Sequence, residues 1–98
     1  MTVKKEWVVF KDATSTANSE VYGTSGAEKL FIQVDGTFTT IAVEVKGKLH
    51  EDAEEVTDST SIAAKGIFEI DLKPYKYFTI NIKTFTGTKA TIYARTIA

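Results

Sequence analysis

The sequence contains no cysteine, one proline and one histidine. Without cysteine, neither a disulfide framework nor a thiolate metal site is possible. His50 is the only imidazole that a zinc site or a Ser–His–Asp triad could use. The scattered serines and glycines form no GxSxG, GxGxxG or P-loop motif. We therefore predict a protein that is not an enzyme, with no catalytic residues and no cofactor.

The sequence also lacks a charge imbalance and a long apolar run. Its 12 basic and 13 acidic residues are scattered, whereas a nucleic-acid binder usually gathers its basic residues into a patch. The longest apolar run near the start, in MTVKKEWVVF, has four residues. A signal peptide needs about 7–15 such residues and a membrane helix about 20. We expect no nucleic-acid partner, no membrane partner and no secretion signal.

Residues that favour β-strands are abundant instead. Thr, Val and Ile fill 32 of the 98 positions, and branching at Cβ suits the pleated surface of a sheet. Apolar and polar residues alternate in at least four segments, for example Leu30, Ile32 and Val34, or Phe78, Ile80 and Ile82. These patterns predict an all-β protein with seven or eight antiparallel strands in a β-sandwich or jelly roll.

We predict one domain over residues 1–98, in which 1–27 form an N-terminal strand and a polar loop and 28–98 form the main sandwich. The first strand is expected at 5–10, and a short strand at 20–22 within the loop. Gly36 and Gly87 each lie between two alternating segments. Because glycine readily adopts positive φ, we predict a tight hairpin turn at each of them.

Several apolar side chains are expected on the outer side of the sheets. If Leu30, Ile82 and Ile92 point inward, strict alternation turns the following residues outward: Phe31, Phe85, Tyr93 and Ile97. On neighbouring strands these four would form one exposed apolar patch, and such patches are typical of interfaces. The alternative is that loops or the N-terminal arm cover them.

The acidic segment, KLHEDAEEVTD at residues 48–58, is the densest cluster of charge. It has no glycine at the turn position of a calcium loop, and no second histidine follows His50 at the spacing of a zinc helix. Its acids also lie in one segment rather than on facing strand ends, as a glycosidase pair would. We interpret the segment as a solvated loop or edge strand. A weak alternative is a metal site formed by Glu51, Asp52 and Glu54.

Aromatic residues suggest a second kind of ligand. Tyr22, Tyr75 and Tyr77 are candidates to stack on sugar rings, as in carbohydrate-binding modules. Trp7 is another such candidate, but its place in an early strand favours burial.

The order of features from Leu30 to the C-terminus resembles that of a known group of proteins. The stretch KGIFEIDLKPYKYFTINIKTFTGTKATIYARTI, residues 65–97, carries the resemblance. It is similar to small β-sandwich proteins encoded in bacteriophage structural gene clusters, of the head-fibre, decoration or tail-appendage type. The resemblance implies a virion structural protein made in the bacterial cytoplasm, with other virion proteins and copies of itself as partners, and no catalytic residues. A receptor-binding domain that recognises a host surface glycan is the alternative.

Overall fold

The computed structural model describes residues 3–98, and within them every regular element is a β-strand. In chain order the strands are β1 (Val3–Ala13), β2 (Ala17–Asn18), β3 (Tyr22–Gly23), β4 (Lys29–Lys48), β5 (Val56–Thr57), β6 (Gly66–Asp71) and β7 (Tyr77–Ile97). All pairings are antiparallel and join the strands into one sheet. The predicted all-β class and the number of strands are confirmed, while the sandwich or jelly roll stays a prediction.

The two long strands, β4 and β7, form the centre of the sheet and pair along nearly their whole lengths. The free side of β7 carries β2 and β3 near its start and β1 near its end. The free side of β4 carries β6 along its first part and β5 at its end. The sheet therefore has two halves: the β1/β6 half, with order β1–β7–β4–β6, and the β2/β5 half, where β2, β3 and β5 flank the same long strands.

Alternation of apolar residues explains which side of each strand is buried. In β4 the buried side chains are Leu30, Ile32 and Val34 in the first part, and the odd-numbered Ile41, Val43 and Val45 in the second. The change from even to odd numbers occurs at register shifts around Phe38, where an extra residue in one strand reverses the alternation. Buried residues of both sheet halves belong to one apolar cluster. Each fully buried aliphatic side chain in it contributes about 1.5–3 kcal/mol.

The hairpin turns predicted at Gly36 and Gly87 are wrong, because both glycines lie inside continuous strands. Gly36 has a φ of 131° and Gly87 a φ of 157°. A Cβ on Gly36 would lie 2.3 Å from the Lys89 carbonyl oxygen, and one on Gly87 would lie 2.3 Å from the Phe38 Cα. These glycines let β4 and β7 approach each other closely where the register shifts. Glycine is needed at these two positions because the strands approach closely there, and not because the chain reverses direction.

The N-terminal segment differs from the predicted long loop. The first strand extends beyond 5–10 to Val3–Ala13, and the rest of the segment touches β7 through the two-residue strands β2 and β3. Ser19 fixes this path, since its hydroxyl oxygen accepts a hydrogen bond of 2.9 Å from the Ile80 N–H. None of the residues 3–98 belongs to a helix long and apolar enough to cross a membrane.

Candidate interaction surface

The outer side of the β1/β6 half carries a row of mostly apolar side chains that crosses all four strands. Strand pairing places Val8 of β1 opposite Tyr93 of β7, Tyr93 opposite Gln33 of β4, and Gln33 opposite Ile67 of β6. The exposed fractions are 48% for Val8, 40% for Tyr93 and 68% for Ile67. Large apolar side chains with this much exposure, contributed by three of the four strands in the row, are typical of a surface suited to contact with another molecule.

A second row runs beside the first and brings charge to the same surface. It places Glu6 opposite Arg95, Arg95 opposite Phe31, and Phe31 opposite Glu69. The Arg95 Nε lies 4.0 Å from the Glu6 Oε1. Both side chains are well exposed, so this ion pair adds little to stability. The pair lies between the Val8–Tyr93 pair and the Val3–Ile97 pair, so it brings charge into the apolar surface.

The residues of the two rows, except Glu69, line an open groove of about 740 Å³. Its walls come from four strands and include Val3, Val8, Phe31, Ile67, Tyr93, Arg95 and Ile97. We call the outward apolar side chains of this groove, namely Val3, Val8, Phe31, Ile67 and Tyr93, the apolar face. Binding grooves for small ligands have similar volumes, about 300–1,000 Å³, and a side chain of a partner protein can also enter a groove of this size.

Three of the four residues predicted to form an exposed patch line this groove: Phe31, Tyr93 and Ile97. Tyr93 is exposed and Phe31 is half-buried, but Ile97 retains only 5% of its exposure and lies between Val3 and Lys29 in the pairing. Their role as an interface stays a prediction.

Phe85, the fourth residue of the predicted patch, lies away from it. It is half-buried, packs against the core, and its ring centroid is 6.3 Å from that of Phe38. The register of β7 explains this position. Val43 pairs with Ile82 whereas Ala42 pairs with Thr84, which leaves Lys83 as an extra residue. An extra residue reverses the alternation, so Phe85 turns inward although strict alternation from Ile82 would turn it outward.

Besides Val3, at the start of β1, the apolar face has two further members that the sequence patterns did not identify, Val8 and Ile67. Ile67 lies three residues before Ile70 and five before Leu72, both of which point inward. Because side chains alternate along a strand, these odd spacings indicate that Ile67 points outward. Val8 alternates with Trp7, whose ring packs against the core. Neither residue stood out, because the pairing of β1 and β6 with the long strands is not visible at the level of sequence.

The outer side of the β2/β5 half is polar and covered. Thr79 and Asn81 of β7 are both buried there. The Thr79 hydroxyl donates a hydrogen bond of 2.8 Å to Glu55 Oε2, and the Asn81 Nδ2 donates one of 3.1 Å to the Thr79 hydroxyl. The Ser19 N–H donates to Asn81 Oδ1 at 3.3 Å. Segments from both sides thus cover this surface with hydrogen bonds, in contrast to the apolar face.

The acidic segment forms a turn, followed by the short strand β5. Ala53 N–H donates to the His50 carbonyl at 3.0 Å, and the Lys48 Nζ donates to the Glu51 carbonyl at 2.8 Å. The side chains of His50 and Asp52 are largely exposed and lie 3.8 Å apart, between Nδ1 and Oδ2. Residues 51–57 are all exposed. Within residues 3–98, no three His, Asp or Glu side chains are close enough together to hold a metal ion.

Asp58, the last acid of this segment, has a structural role. Its Oδ2 accepts a hydrogen bond of 2.7 Å from the Tyr75 hydroxyl, and its Oδ1 accepts one of 3.0 Å from the Thr60 N–H. Desolvation opposes ionisation of Asp58, but these hydrogen bonds outweigh it and lower the pKa of the carboxyl. The same bond, with burial, raises the pKa of Tyr75 to about 12. The pair ties the end of the acidic segment to the turn before β7.

The three tyrosines predicted to contact a glycan do not form one platform. Tyr22 is half-buried in an aromatic cluster, with its ring centroid 5.0 Å from that of Trp7 and 5.4 Å from that of Phe78. Tyr75 packs over Gly47 and lines a smaller groove of about 360 Å³ beside the acidic segment. Tyr77 is half-buried, with the Nζ atoms of Lys48 and Lys76 within 6 Å of its ring. Glycan binding by these residues stays a prediction.

Comparison with known proteins identifies the fold. No protein-family model and no curated protein matches this chain. Among solved structures, the chain is similar to the crystal structure of the SPBc2 prophage-derived protein YomS, with a TM-score of 0.75 and 13% sequence identity. The match covers 96% of this chain and 92% of that chain. At this level of identity the likeness establishes a shared all-β fold over nearly the whole length of both proteins.

Proposed function

We propose that this protein is a non-enzymatic structural component of a bacteriophage particle, of the head-fibre, decoration or tail-appendage type. It is made in the bacterial host cytoplasm, joins the virion, and acts by protein–protein contact with other virion proteins and with copies of itself. Two independent observations support the proposal: the likeness in fold to a prophage-derived protein, and the resemblance of residues 65–97 to phage structural proteins.

The apolar face is the observation that carries the mode of action. Val8 and Tyr93 expose large apolar side chains on the adjacent strands β1 and β7, and Ile67 exposes one on β6, beyond β4. No segment of residues 3–98 pairs over them. Burial of apolar surface contributes about 25 cal/mol per Å². A domain of this size buries a modest share of its own surface, so it gains stability by burying this face against a partner.

We also infer that the sheet folds over on itself as a sandwich-like pair of layers. Supporting this, the buried residues of both sheet halves lie in one cluster. In addition, Gly36 and Gly87, with their register shifts, lie where the two halves meet. The apolar face then lies on the outside of one layer, and the covered polar surface with Thr79 and Asn81 on the outside of the other.

The proposal is tested on particles of the phage whose genome carries the gene. Mass spectrometry of purified particles is expected to find the protein as a stoichiometric component. A Tyr93→Glu variant, which places a charge in the centre of the apolar face, is expected to lose most of its incorporation. Val21→Glu is the matched control, because Val21 is similarly exposed but lies between β2 and β3.

Absence of the protein from purified particles would overturn the virion assignment. Equal incorporation of the Tyr93→Glu and wild-type proteins would overturn the role of the apolar face. Thermal melting of both variants separates loss of contact from loss of folding.

Recognition of a host surface glycan is the alternative function. The smaller groove favours it, since Lys48, Glu54 and Tyr75 line it together and combine an aromatic ring with charged groups. A glycan array probed with and without calcium tests this alternative. Binding that Tyr75→Ala removes would support it, and an array without signal under both conditions would eliminate it.

A further inference from the structure

The strands at the borders of the sheet differ in how they are protected against pairing with another chain. An edge strand presents unpaired N–H and C=O groups, and proteins usually shield it with bulges, lysines or very short length. The strands with a free side are β1, β2, β3, β5 and β6. Three of these, β2, β3 and β5, are only two residues long.

β1 is long but well protected. Its register with β7 shifts at three places, between Val3 and Lys5, Val8 and Phe10, and Phe10 and Ala13. It carries Lys4, Lys5 and Lys11, and its end is twisted by Asp12, which has a φ of 51°. An extended strand from another chain finds no regular row of hydrogen-bonding groups along β1.

β6 has neither the register shifts and lysines of β1 nor the two-residue length of β2, β3 and β5, and its charged residues are Glu69 and Asp71. Its six residues, Gly66–Asp71, pair with β4 in unbroken register and include neither lysine nor proline. On the side of β6 that points away from β4, no backbone group of residues 3–98 forms a hydrogen bond with it. Ile67, at 68% exposure among the most exposed large apolar residues, lies on this strand. Within residues 3–98, β6 is therefore the longest edge strand that keeps an unbroken register with its neighbour.

The direction of the free backbone groups follows from the neighbouring hydrogen bond. The Leu72 N–H donates to the Glu28 carbonyl, toward β4. In an antiparallel ladder, alternate residues direct their N–H and C=O groups to the same side. Even-numbered residues of β6 therefore face β4, and Ile67, Glu69 and Asp71 direct their backbone groups outward.

The side chains of β6 are complementary to those of a second β6 that runs in the opposite direction. With Ile67 opposite Ile67 of the second copy, Lys65, the residue immediately before β6, would lie opposite Glu69 of that copy. The half-buried Phe68 would lie beside Gly66 of that copy. Opposite charges and apolar pairs across antiparallel strands are favourable. A pairing centred on Glu69 would place two carboxylates opposite each other, and one centred on Phe68 would place Ile67 against Glu69. Charge and apolar contacts therefore select one register.

We propose that two copies of this chain pair antiparallel along β6 around Ile67 and so join their two sheets into one. The twofold symmetry makes the Lys65–Glu69 contact occur twice. The apolar faces of both copies then become continuous across the joint. This inference rests on the part of the proposed function in which copies of the chain associate, and it assigns that association to one edge and one register.

Charge reversal at the two positions tests the register. Lys65→Glu alone places two carboxylates opposite each other at both contacts, and Glu69→Lys alone places two ammonium groups there. Sedimentation velocity over a range of concentrations is expected to show a wild-type dimer and, for each single variant, a dissociation constant raised about tenfold or more. The double variant, Lys65→Glu with Glu69→Lys, restores both contacts and is expected to dimerise like the wild type.

Mixing the two single variants gives a stronger test, because each is repulsive with itself and attractive with the other. The mixture is expected to form a mixed dimer at concentrations where each variant alone is monomeric. Glu20→Lys and Lys73→Glu are the matched controls, since both positions are exposed and lie outside β6. These two variants are expected to leave dimerisation unchanged.

A wild-type protein that is monomeric at every concentration would overturn the inference. So would a dimer that survives both single variants, or a double variant that stays as weak as they are. The virion proposal is tested by a different measurement, namely incorporation of the wild-type protein and of Tyr93→Glu into phage particles. Tyr93 lies two strands away from β6, and its substitution is expected to leave the dimer intact.

Discussion

At the scale of single residues, the hydrogen bond between Tyr75 and Asp58 is the contact whose removal has the clearest effect. The bond is 2.7 Å long and joins a hydroxyl to a carboxylate, both partly buried. Tyr75→Phe is expected to reduce the free energy of unfolding by about 1–2 kcal/mol, since Asp58 loses its hydroxyl donor. Urea unfolding measures the change. Tyr77→Phe is the control, because the contacts of Tyr77 with Lys48 and Lys76 involve its ring, and a loss of equal size there would contradict the assignment.

The same pair predicts a defined pH dependence. The pKa of Tyr75 is raised from 10.0 to about 12 in the folded protein, so its contribution is complete below pH 10 and is lost as the pH rises through 12. The pKa of Asp58 is lowered below 3.8, so its contribution is complete above that pH and is lost as the pH falls through the folded pKa. The stability difference between wild type and Tyr75→Phe is therefore expected to be constant from pH 6 to 9 and to shrink from pH 10 to 12. Urea unfolding at a series of pH values checks this, and a difference that grows above pH 10 would refute it.

At the scale of structural elements, the long strands β4 and β7 depend on the glycines at their register shifts. Gly36→Ala places a Cβ against the Lys89 carbonyl oxygen at a φ of 131°. We expect it to lower the free energy of unfolding by about 3 kcal/mol or more, because the obstructing atoms belong to the backbone of Lys89 and Ala90 and not to a flexible side chain. Gly26→Ala is the matched control, with a φ of 81° but open space around the Cβ, and about 1 kcal/mol is expected. Urea unfolding measures the loss of free energy of unfolding in each variant. A larger loss for Gly36→Ala is the cost of the steric contact, and equal losses would exclude that explanation.

Besides Asp58, one further acid of the acidic segment holds it to the sheet. Glu55 accepts a hydrogen bond from Thr79, whereas the neighbouring Glu54 lines the smaller groove. Glu55→Ala is expected to speed hydrogen exchange of the Val56 and Thr57 amides several-fold, because the segment loses its attachment to β7. Glu54→Ala is expected to leave exchange unchanged. Equal acceleration in both variants would show that Thr79 does not hold the segment.

At the scale of the whole molecule, sequence patterns predict the class of fold better than its connectivity. Strong alternation around Ile32, Val43 and Ile80 identifies the strands and their buried sides. The turns predicted at Gly36 and Gly87 are wrong, because a glycine that allows close strand approach and a glycine in a hairpin carry the same local signal. The outward position predicted for Phe85 fails for a related reason, since an extra residue in β7 reverses alternation without any mark in the sequence.

The candidate surface shows the same limit. Phe31 and Tyr93 can be assigned to it from alternation alone, because each lies in a strand with a clear inward pattern. Val8 and Ile67 require knowledge of which strands are neighbours, and that information resides in the pairing of β1 with β7 and of β6 with β4. Long-range pairing depends on the whole chain, so a local pattern does not contain it.

Association along β6 also predicts how the stability of the whole molecule depends on concentration. A partner that binds only the folded state raises the apparent stability by mass action. For a homodimer above its dissociation constant, each tenfold increase in concentration adds about 0.7 kcal/mol per protomer, which raises the melting temperature by about 3–6 °C. Lys65→Glu is expected to show this rise only at concentrations about tenfold or more higher, because its carboxylate lies opposite Glu69 of the second copy. Differential scanning calorimetry at several concentrations measures both proteins. A wild-type melting temperature that does not change with concentration would show that folding and association are not linked. The free backbone groups of β6 would then form their hydrogen bonds with water and not with a second copy.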